Sequence, residues 1–145
     1  VAAMAALRTT SPIPLMADES VFSLEDAHRL TAARAVDVLS VYPGKHCGIA
    51  GTVEIAHVAK AAGITCAICS NLELGIGTAA MLHVAVALPT IDSDAWPADL
   101  VGPIYHEADL LTEPLQLGPP AARCPMGPGL GVTLDESQLE RYRVK

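Results

Sequence analysis

The chain has 145 residues, of which 51% are hydrophobic and 17% are charged, and its formal net charge is −7. This composition predicts one folded domain with a substantial core and excludes disorder as the default. An acidic chain without a basic run is poorly suited to bind nucleic acid or an anionic membrane, and no apolar run approaches the ~20 residues of a bilayer span, so we expect a cytoplasmic protein.

Strand and helix signals alternate along the first part of the chain. It opens on a helix-forming run without a preceding cap, and we therefore expect a fragment of a longer protein. Ser23 and Asp26 have the spacing of a capping box for the next helix. Thr52 is predicted to cap the helix after that, and Gly63 to end it. Short strands are predicted at 15–17, 36–41 and 64–68, and an apolar helix at 79–88.

The order of these elements indicates a parallel sheet. Repetition of strand and helix implies parallel strands joined by right-handed crossovers, which occur both in open doubly wound sheets and in closed barrels. No glycine-rich phosphate-binding motif follows the first strand, so a nucleotide site has no support. Farther along, a fourth strand is predicted at 100–104 and a short terminal helix from Asp135.

The cysteines do not predict a disulfide framework, because an apolar core of this size does not need one. Cys66 and Cys69 form a C-x-x-C, but no second pair stands at zinc spacing, and Cys66 lies in an apolar, strand-like run. We interpret the four cysteines as buried thiols, with redox or metal chemistry as the minor alternative.

Polar residues follow each predicted strand, where parallel folds bind their ligands. Acids brought to one rim would repel one another unless a cation lay among them, and carboxylate oxygens favour Mg²⁺. The alternative is that each acid caps the following helix. Lys45 is equally well explained as a solvated loop lysine, and we interpret His46 as a surface loop residue. The residues at these strand ends are Asp18, Glu19, Tyr42, Lys45, His46, Asn71 and Glu73.

Several motifs occur in a set order along almost the whole chain. They are P-L-M-A-D-E-S at 14–20, the G-K-x-x-G loop at 44–48, A-A-G-I at 61–64, L-E-L-G-I-G-T-A-A at 72–80 and P-G-L-G-V at 128–132. Together they resemble the C-terminal part of the mandelate racemase and muconate lactonizing enzyme branch of the enolase superfamily.

The resemblance implies an α/β fold, the C-terminal part of a modified TIM-like (β/α)7β barrel that is incomplete in this chain. Residues 1–110 would supply half of the barrel, and residues 111–145 an irregular tail returning toward a capping domain. The implied partners are the N-terminal half of the same protein or a second chain, in a homo-oligomer, with a small carboxylate as substrate.

The resemblance also implies a reaction, in which a proton α to the substrate carboxylate is abstracted and Mg²⁺ stabilises the resulting enediolate. Asp18 corresponds to the third of three metal-binding acids, Glu19 to its usual neighbour, and Glu73 to an acid near the substrate. Asn71 lies at the same rim, where it could bond a substrate oxygen. We therefore expect Asp18 to bind the metal, and Glu19 and Asn71 to bind the substrate. The candidate catalytic residues are Tyr42, Lys45 and Glu73.

One position departs from the family pattern. Tyr42 stands where the cycloisomerase and epimerase subgroups have a catalytic lysine, and Lys45 corresponds to a second lysine of the same loop. Either Tyr42 performs the second proton transfer, or a base outside this chain acts alone. We expect a muconate cycloisomerase-like isomerase or lyase, with an acid-sugar dehydratase or a non-catalytic relative as alternatives, and the isolated chain is expected to be inactive.

Overall fold

Three parallel strands form the sheet of this protein in the order β1-β2-β3. The computed structural model describes residues 1–144. The strands are β1 (Met16–Ala17), β2 (Val38–Val41) and β3 (Thr65–Ile68). Val38 is paired with Met16 on one side and with Thr65 on the other. The predicted parallel βα repeat is therefore confirmed, although each strand is shorter than its apolar run.

Helices connect and flank these strands. The α2 helix begins with the predicted capping box: the Ser23 hydroxyl accepts the backbone N–H of Asp26 at 3.1 Å, and Asp26 Oδ2 accepts the backbone N–H of Ser23 at 3.0 Å. The helices are α1 (Ala2–Thr10), α2 (Leu24–Ala32), α3 (Ile49–Ala61), α4 (Gly75–Ala87) and α5 (Glu136–Arg141), with a 3₁₀ turn at Gly102–Tyr105.

The core lies between the sheet and its helices. All four residues of β2 are buried, as is typical of a parallel strand covered on both faces. The α2 helix packs on α3, and α3 packs on α4. The α4 helix is the most apolar of the set, yet within residues 1–144 no helix is long and apolar enough to cross a membrane. The largest fully buried side chains include Leu30, Leu39, Ile55, Ile68 and Met81.

The predicted strand at 100–104 is wrong. Gly102–Tyr105 forms a 3₁₀ turn instead, and Ile91 makes the isolated parallel bridge to Cys66 of β3. Pro103 cannot donate to a strand ladder, and Gly102 packs directly on the backbone of Glu73. An apolar run that docks on a neighbouring loop in this way cannot also pair as a strand.

Two predicted helix starts are also wrong. The α3 helix begins at Ile49 because Gly48, at φ +103°, turns the chain into it earlier than Thr52. Thr52 is buried inside α3, where its hydroxyl donates to the carbonyl of Gly48 at 2.9 Å. The α4 helix begins at Gly75, whose N–H is accepted by Asp109 Oδ1 at 2.9 Å, a cap from 34 residues away. At the other end of α3, Gly63 ends the helix as predicted, with φ +69°.

All four cysteines are free in the described part of the chain. Cys66 is fully buried in β3, and this burial raises the pKa of its thiol to about 12. The interpretation as a buried thiol is therefore confirmed for Cys66 and wrong for Cys47, which is exposed. Cys69 and Cys124 are half-buried.

Candidate active site at the carboxyl ends of the strands

Asp18 and Lys45 meet at the carboxyl ends of β1 and β2. Lys45 Nζ donates to Asp18 Oδ1 at 2.8 Å and to the backbone carbonyl of Asp18 at 3.1 Å. The Lys45 side chain is 1% exposed, whereas the Asp18 side chain is 49% exposed. The interpretation of Lys45 as a solvated loop lysine is therefore wrong, because its ammonium group is buried against Asp18.

Ser40, which the sequence analysis missed, completes this group. Its hydroxyl lies within the buried strand β2, donates to Asp18 Oδ1 at 2.8 Å and accepts from Lys45 Nζ at 3.3 Å. The available signal was a single hydroxyl residue inside the apolar run V-L-S-V. Lys45 thereby uses all three of its N–H donors within the protein. We define Asp18, Ser40 and Lys45 as the rim triad.

The rim triad favours the ionised form of Asp18. Partial burial pushes the pKa of this carboxyl up, but the hydrogen bonds from Lys45 and Ser40 and the nearby ammonium charge outweigh burial, and the pKa lies below its usual value of 3.8. Both side-chain hydrogen bonds end on Oδ1. Oδ2 therefore remains able to accept a cation or a ligand donor.

The lowered pKa of Asp18 predicts how stability depends on pH. Because the folded pKa is depressed, the contribution of Asp18 is complete above its unfolded value of 3.8 and is lost as the pH falls through the lower folded value. We expect the difference in free energy of unfolding between the wild type and Lys45→Met to shrink as the pH falls below about 4. Urea unfolding from about pH 7 to about pH 2 measures this. The pKa values of Asp26 and Asp37 are lowered as well, but these residues titrate alike in both proteins and cancel from the difference. A difference in free energy of unfolding that stays constant with pH would therefore contradict the ion pair of Asp18 with Lys45 as its source.

Tyr42 lies at the same rim, half-buried beneath Lys45. Lys45 Nζ is 4.8 Å from the centroid of the Tyr42 ring. Burial and then the negative charges of Asp18, Glu73 and Glu19 raise the pKa of the Tyr42 phenol. The phenol therefore keeps its proton at neutral pH, where it can donate a hydrogen bond but is unsuited to be a base.

Glu73 lies in the segment that follows β3, at the same rim. Its Oε2 accepts the backbone N–H of Asn71 at 2.8 Å. Oε1 is buried and has no hydrogen-bond partner within residues 1–144, and a Cβ atom on Gly44 would lie 2.8 Å from it. A buried acceptor without a donor is uncommon in folded proteins, so Glu73 has the capacity to bind a donor supplied by a ligand.

His46 is buried, contrary to its interpretation as a surface residue. It is only 2% exposed, and its Nδ1–H donates to the carbonyl of Phe22 at 3.0 Å. Burial lowers the pKa of this imidazole, which favours the neutral ring. The Tyr42–Gly48 loop is rich in Pro and Gly, yet it folds inward and packs both His46 and Lys45.

The acids of the rim do not form a metal-binding cluster by themselves. Among residues 1–144 no group of three or more His, Cys, Asp or Glu side chains is placed to hold a metal ion. Lys45 is ion-paired with Asp18, while Glu19 and Asn71 are exposed. Oδ2 of Asp18 is a carboxylate oxygen of the kind that Mg²⁺ prefers, and further ligands would have to come from outside the described residues to complete a site.

Comparison with known proteins identifies the family of this chain. Residues 1–138 match the family model described as enolase C-terminal domain-like. The chain is 39% identical over 139 residues to muconate cycloisomerase 1 of Rhodococcus opacus, covering 96% of this chain and 36% of that protein. It is 35% identical over 140 residues to the chloromuconate cycloisomerase of Cupriavidus necator, covering 97% of this chain and 37% of the relative.

Solved structures give the same result for the fold. The 2-chloromuconate cycloisomerase of Rhodococcus opacus superposes with a TM-score of 0.91 at 32% identity, over 98% of this chain and 38% of that one. The muconate lactonizing enzyme of Pseudomonas putida superposes with a TM-score of 0.89 at 35% identity. This match covers 96% of the present chain and 38% of that enzyme. The chain thus spans just over a third of the length of these relatives and has the fold of the C-terminal portion of their barrel. With its parallel strands and matching sequence, it belongs to the enolase C-terminal domain-like family, in the muconate lactonizing enzyme branch of the enolase superfamily.

Proposed function

We propose that the protein carrying this chain is a Mg²⁺-dependent isomerase or lyase of the cycloisomerase type, acting at the carbon α to a substrate carboxylate. The observation that carries this proposal is the rim triad, which holds an ionised Asp18 with a free oxygen at the carboxyl ends of parallel strands. Similarity to muconate and chloromuconate cycloisomerases supports muconate and its lactone as the first substrates to test.

In this proposal Asp18 is a metal ligand and the other members of the rim triad hold it in place. When bound, Mg²⁺ would supply positive charge beside the substrate carboxylate, where negative charge grows during proton abstraction. Lys45 and Ser40 fix the carboxylate of Asp18 through Oδ1 and leave Oδ2 for the metal. Lys45 is thus a positioning residue, because its donors are already used within the protein.

Tyr42 and Glu73 are proposed to face the substrate. The protonated phenol of Tyr42 can donate to a substrate oxygen, and the partnerless Oε1 of Glu73 can accept from a hydroxyl or water. Glu19 and Asn71 extend the same rim toward the substrate. The base that removes the α-proton is proposed to lie outside the described residues.

An acid-sugar dehydratase is the second candidate. Tyr42 holds its proton and Lys45 is engaged with Asp18, so neither of these two residues is free to act as a second base. Elimination of water can proceed with one base, whereas epimerisation requires groups on both faces of the substrate. Turnover of an acid sugar by the intact protein, together with no deuterium exchange into muconolactone, would favour this candidate.

The chain is also proposed to divide at residue 110. Residues 1–110 carry the sheet with α1 to α4, and residues 111–145 are proposed as a tail that returns toward a capping domain. Leu111 and Leu134 form an antiparallel bridge that closes this tail on itself. Further barrel strands, from the same polypeptide or a second chain, would complete the site, and a homo-oligomer is proposed for the whole protein.

Proton exchange tests the function directly. The intact protein with Mg²⁺ is incubated with muconolactone in D₂O, and nuclear magnetic resonance follows deuterium entering at the carbon α to the carboxylate. We expect exchange that stops when the metal is chelated, and a lower rate for Tyr42→Phe, which removes only the phenolic donor. A full rate in Tyr42→Phe removes this residue from the reaction. Absence of exchange from muconolactone and of turnover on acid sugars would overturn the proposed function.

A further inference from the structure

A second pair of reactive side chains shares no residue with the rim triad. Cys124 Sγ lies 3.3 Å from Nδ1 of His83, which is on α4 and 41 residues earlier in the chain. His83 Nε2 lies 3.1 Å from the backbone carbonyl of Leu130. A carbonyl only accepts hydrogen bonds, so this contact assigns the proton of the neutral ring to Nε2. The lone pair of Nδ1 is therefore directed at the thiol.

The geometry around Cys124 favours transfer of the thiol proton to His83. The other acceptor near the sulfur is the carbonyl of Pro125, which is farther away at 3.8 Å. A thiol that loses its proton to an oriented imidazole becomes a thiolate, the nucleophilic form of cysteine. Because the Leu130 carbonyl fixes the tautomer, the ring is already arranged to receive the proton.

The thiol is also accessible to a small molecule. Cys124 is half-buried and lines a cavity of about 410 Å³. The cavity is formed by residues 112–116, 123–125 and 131–133, and its charged residues are Glu113 and Arg123. Because the cavity has one acidic and one basic residue, it does not select strongly for the charge of a ligand. The class of reactant is therefore determined by the sulfur of Cys124, which is a soft nucleophile.

We propose that Cys124 and His83 form a nucleophile and base pair that captures α,β-unsaturated carbonyl compounds. The thiol proton passes to His83 Nδ1, and the sulfur attacks the β-carbon of the alkene. A carbon–sulfur bond forms while the carbon–carbon π bond breaks, and its electron pair moves to the α-carbon. That carbon then takes the proton back from the imidazolium of His83. The product is a thioether, and no oxidant or further reactant is consumed.

The other cysteines provide internal controls for this proposal. Cys47 is exposed and therefore reports the reactivity of an ordinary accessible thiol. Cys66 is fully buried with a pKa of about 12, so it stays unreactive as long as the protein is folded. The proposal requires Cys124 to be alkylated faster than Cys47, although Cys124 is the less exposed of the two.

The test uses N-ethylmaleimide as the unsaturated carbonyl compound on the intact protein. Peptide mass spectrometry measures the alkylation rate at each cysteine from about pH 6 to about pH 8. At about pH 6.5, where an unperturbed thiol is only about 1% ionised, we expect Cys124 to react roughly tenfold faster than Cys47, because the His83 ring 3.3 Å away can take the thiol proton as the sulfur attacks. Near pH 8 the difference in rate should narrow, because a neighbouring base adds less to the reaction where a larger share of an unperturbed thiol is already thiolate.

His83→Gln should bring the rate and pH profile of Cys124 to those of Cys47. The matched control is His57→Gln, which replaces an exposed histidine on α3 and should change neither cysteine. Protection of Cys66 verifies that each variant is folded. Cys124 reacting no faster than Cys47 in the wild type overturns the proposal without any variant, as does an unchanged pH profile in folded His83→Gln.

Discussion

Asparagine in place of Asp18 is expected to lower Mg²⁺ affinity and turnover at least about 100-fold, since loss of partners that merely orient a metal ligand already costs about 10–100-fold. The amide introduced by Asp18→Asn would keep the shape of the side chain but not its negative charge. Calorimetric titration with Mg²⁺ and the deuterium exchange rate of the intact protein measure the two effects. The expected loss follows from assigning the free Oδ2 of Asp18 to the metal.

Loss of stability must be separated from loss of the metal in this variant. Asp18→Asn leaves the ammonium of Lys45 buried without its counter-charge, at a cost of about 1–3 kcal/mol, less than for a fully buried pair because the Asp18 side chain is 49% exposed. The double variant Asp18→Asn/Lys45→Met removes this unpaired charge. We expect it to recover stability relative to Asp18→Asn while Mg²⁺ binding stays lost.

Asp94→Asn is the matched control, because Asp94 is an exposed acid in a turn and is not part of the rim triad. It should leave metal affinity, exchange rate and stability unchanged. Wild-type Mg²⁺ affinity in a folded Asp18→Asn protein would contradict the metal assignment. Recovery of Mg²⁺ binding in the double variant would show that the single change had acted through stability.

Alanine in place of Gly102 is expected to destabilise the protein by about 3 kcal/mol, at the upper end of what overpacking costs. Gly102 is buried, and a Cβ there would overlap the carbonyl oxygen of Glu73 and lie 2.7 Å from the backbone N of Glu73. Backbone atoms cannot rotate away as a side chain can, so the segment that carries Glu73 must move. Chemical unfolding in urea measures the loss.

Gly102→Ala should also lower turnover while leaving the metal in place. A displacement of about 1 Å in a group that positions substrate can cost roughly 100-fold in rate. Because Gly102 packs on Glu73 and not on the rim triad, we expect Mg²⁺ affinity close to that of the wild type. This pattern distinguishes a displaced substrate contact from a lost metal ligand.

Gly44→Ala provides the graded comparison for Gly102→Ala. Its Cβ would lie 2.8 Å from Glu73 Oε1, which is the end of a flexible side chain. The carboxylate can rotate away, so we expect a smaller stability loss than at Gly102, about 1 kcal/mol. Equal losses at the two positions would contradict the view that Gly102 fits against rigid backbone.

Local sequence patterns determined much of this fold. The capping box of Ser23 and Asp26 joins residues three positions apart, and the αL glycine Gly63 ends its own helix, so both could be predicted from spacing alone. The alternation of strand and helix predicted the parallel sheet, and with it the strand ends at which Asp18 and Tyr42 lie. The failed strand at 100–104 shows the limit, because its apolar residues dock on the loop of Glu73 rather than pair.

The chemistry of the site was decided only by the tertiary structure. Lys45 bonds Asp18 from 27 residues away, Ser40 bonds Asp18 from 22 residues away, and the cap of α4 comes from Asp109 across 34 residues. No local pattern connects such residues, because their contact depends on how the strands and loops are packed. The sequence alone therefore placed the charged residues at one rim, whereas packing determined that Lys45 is buried against Asp18 and that His83 meets Cys124.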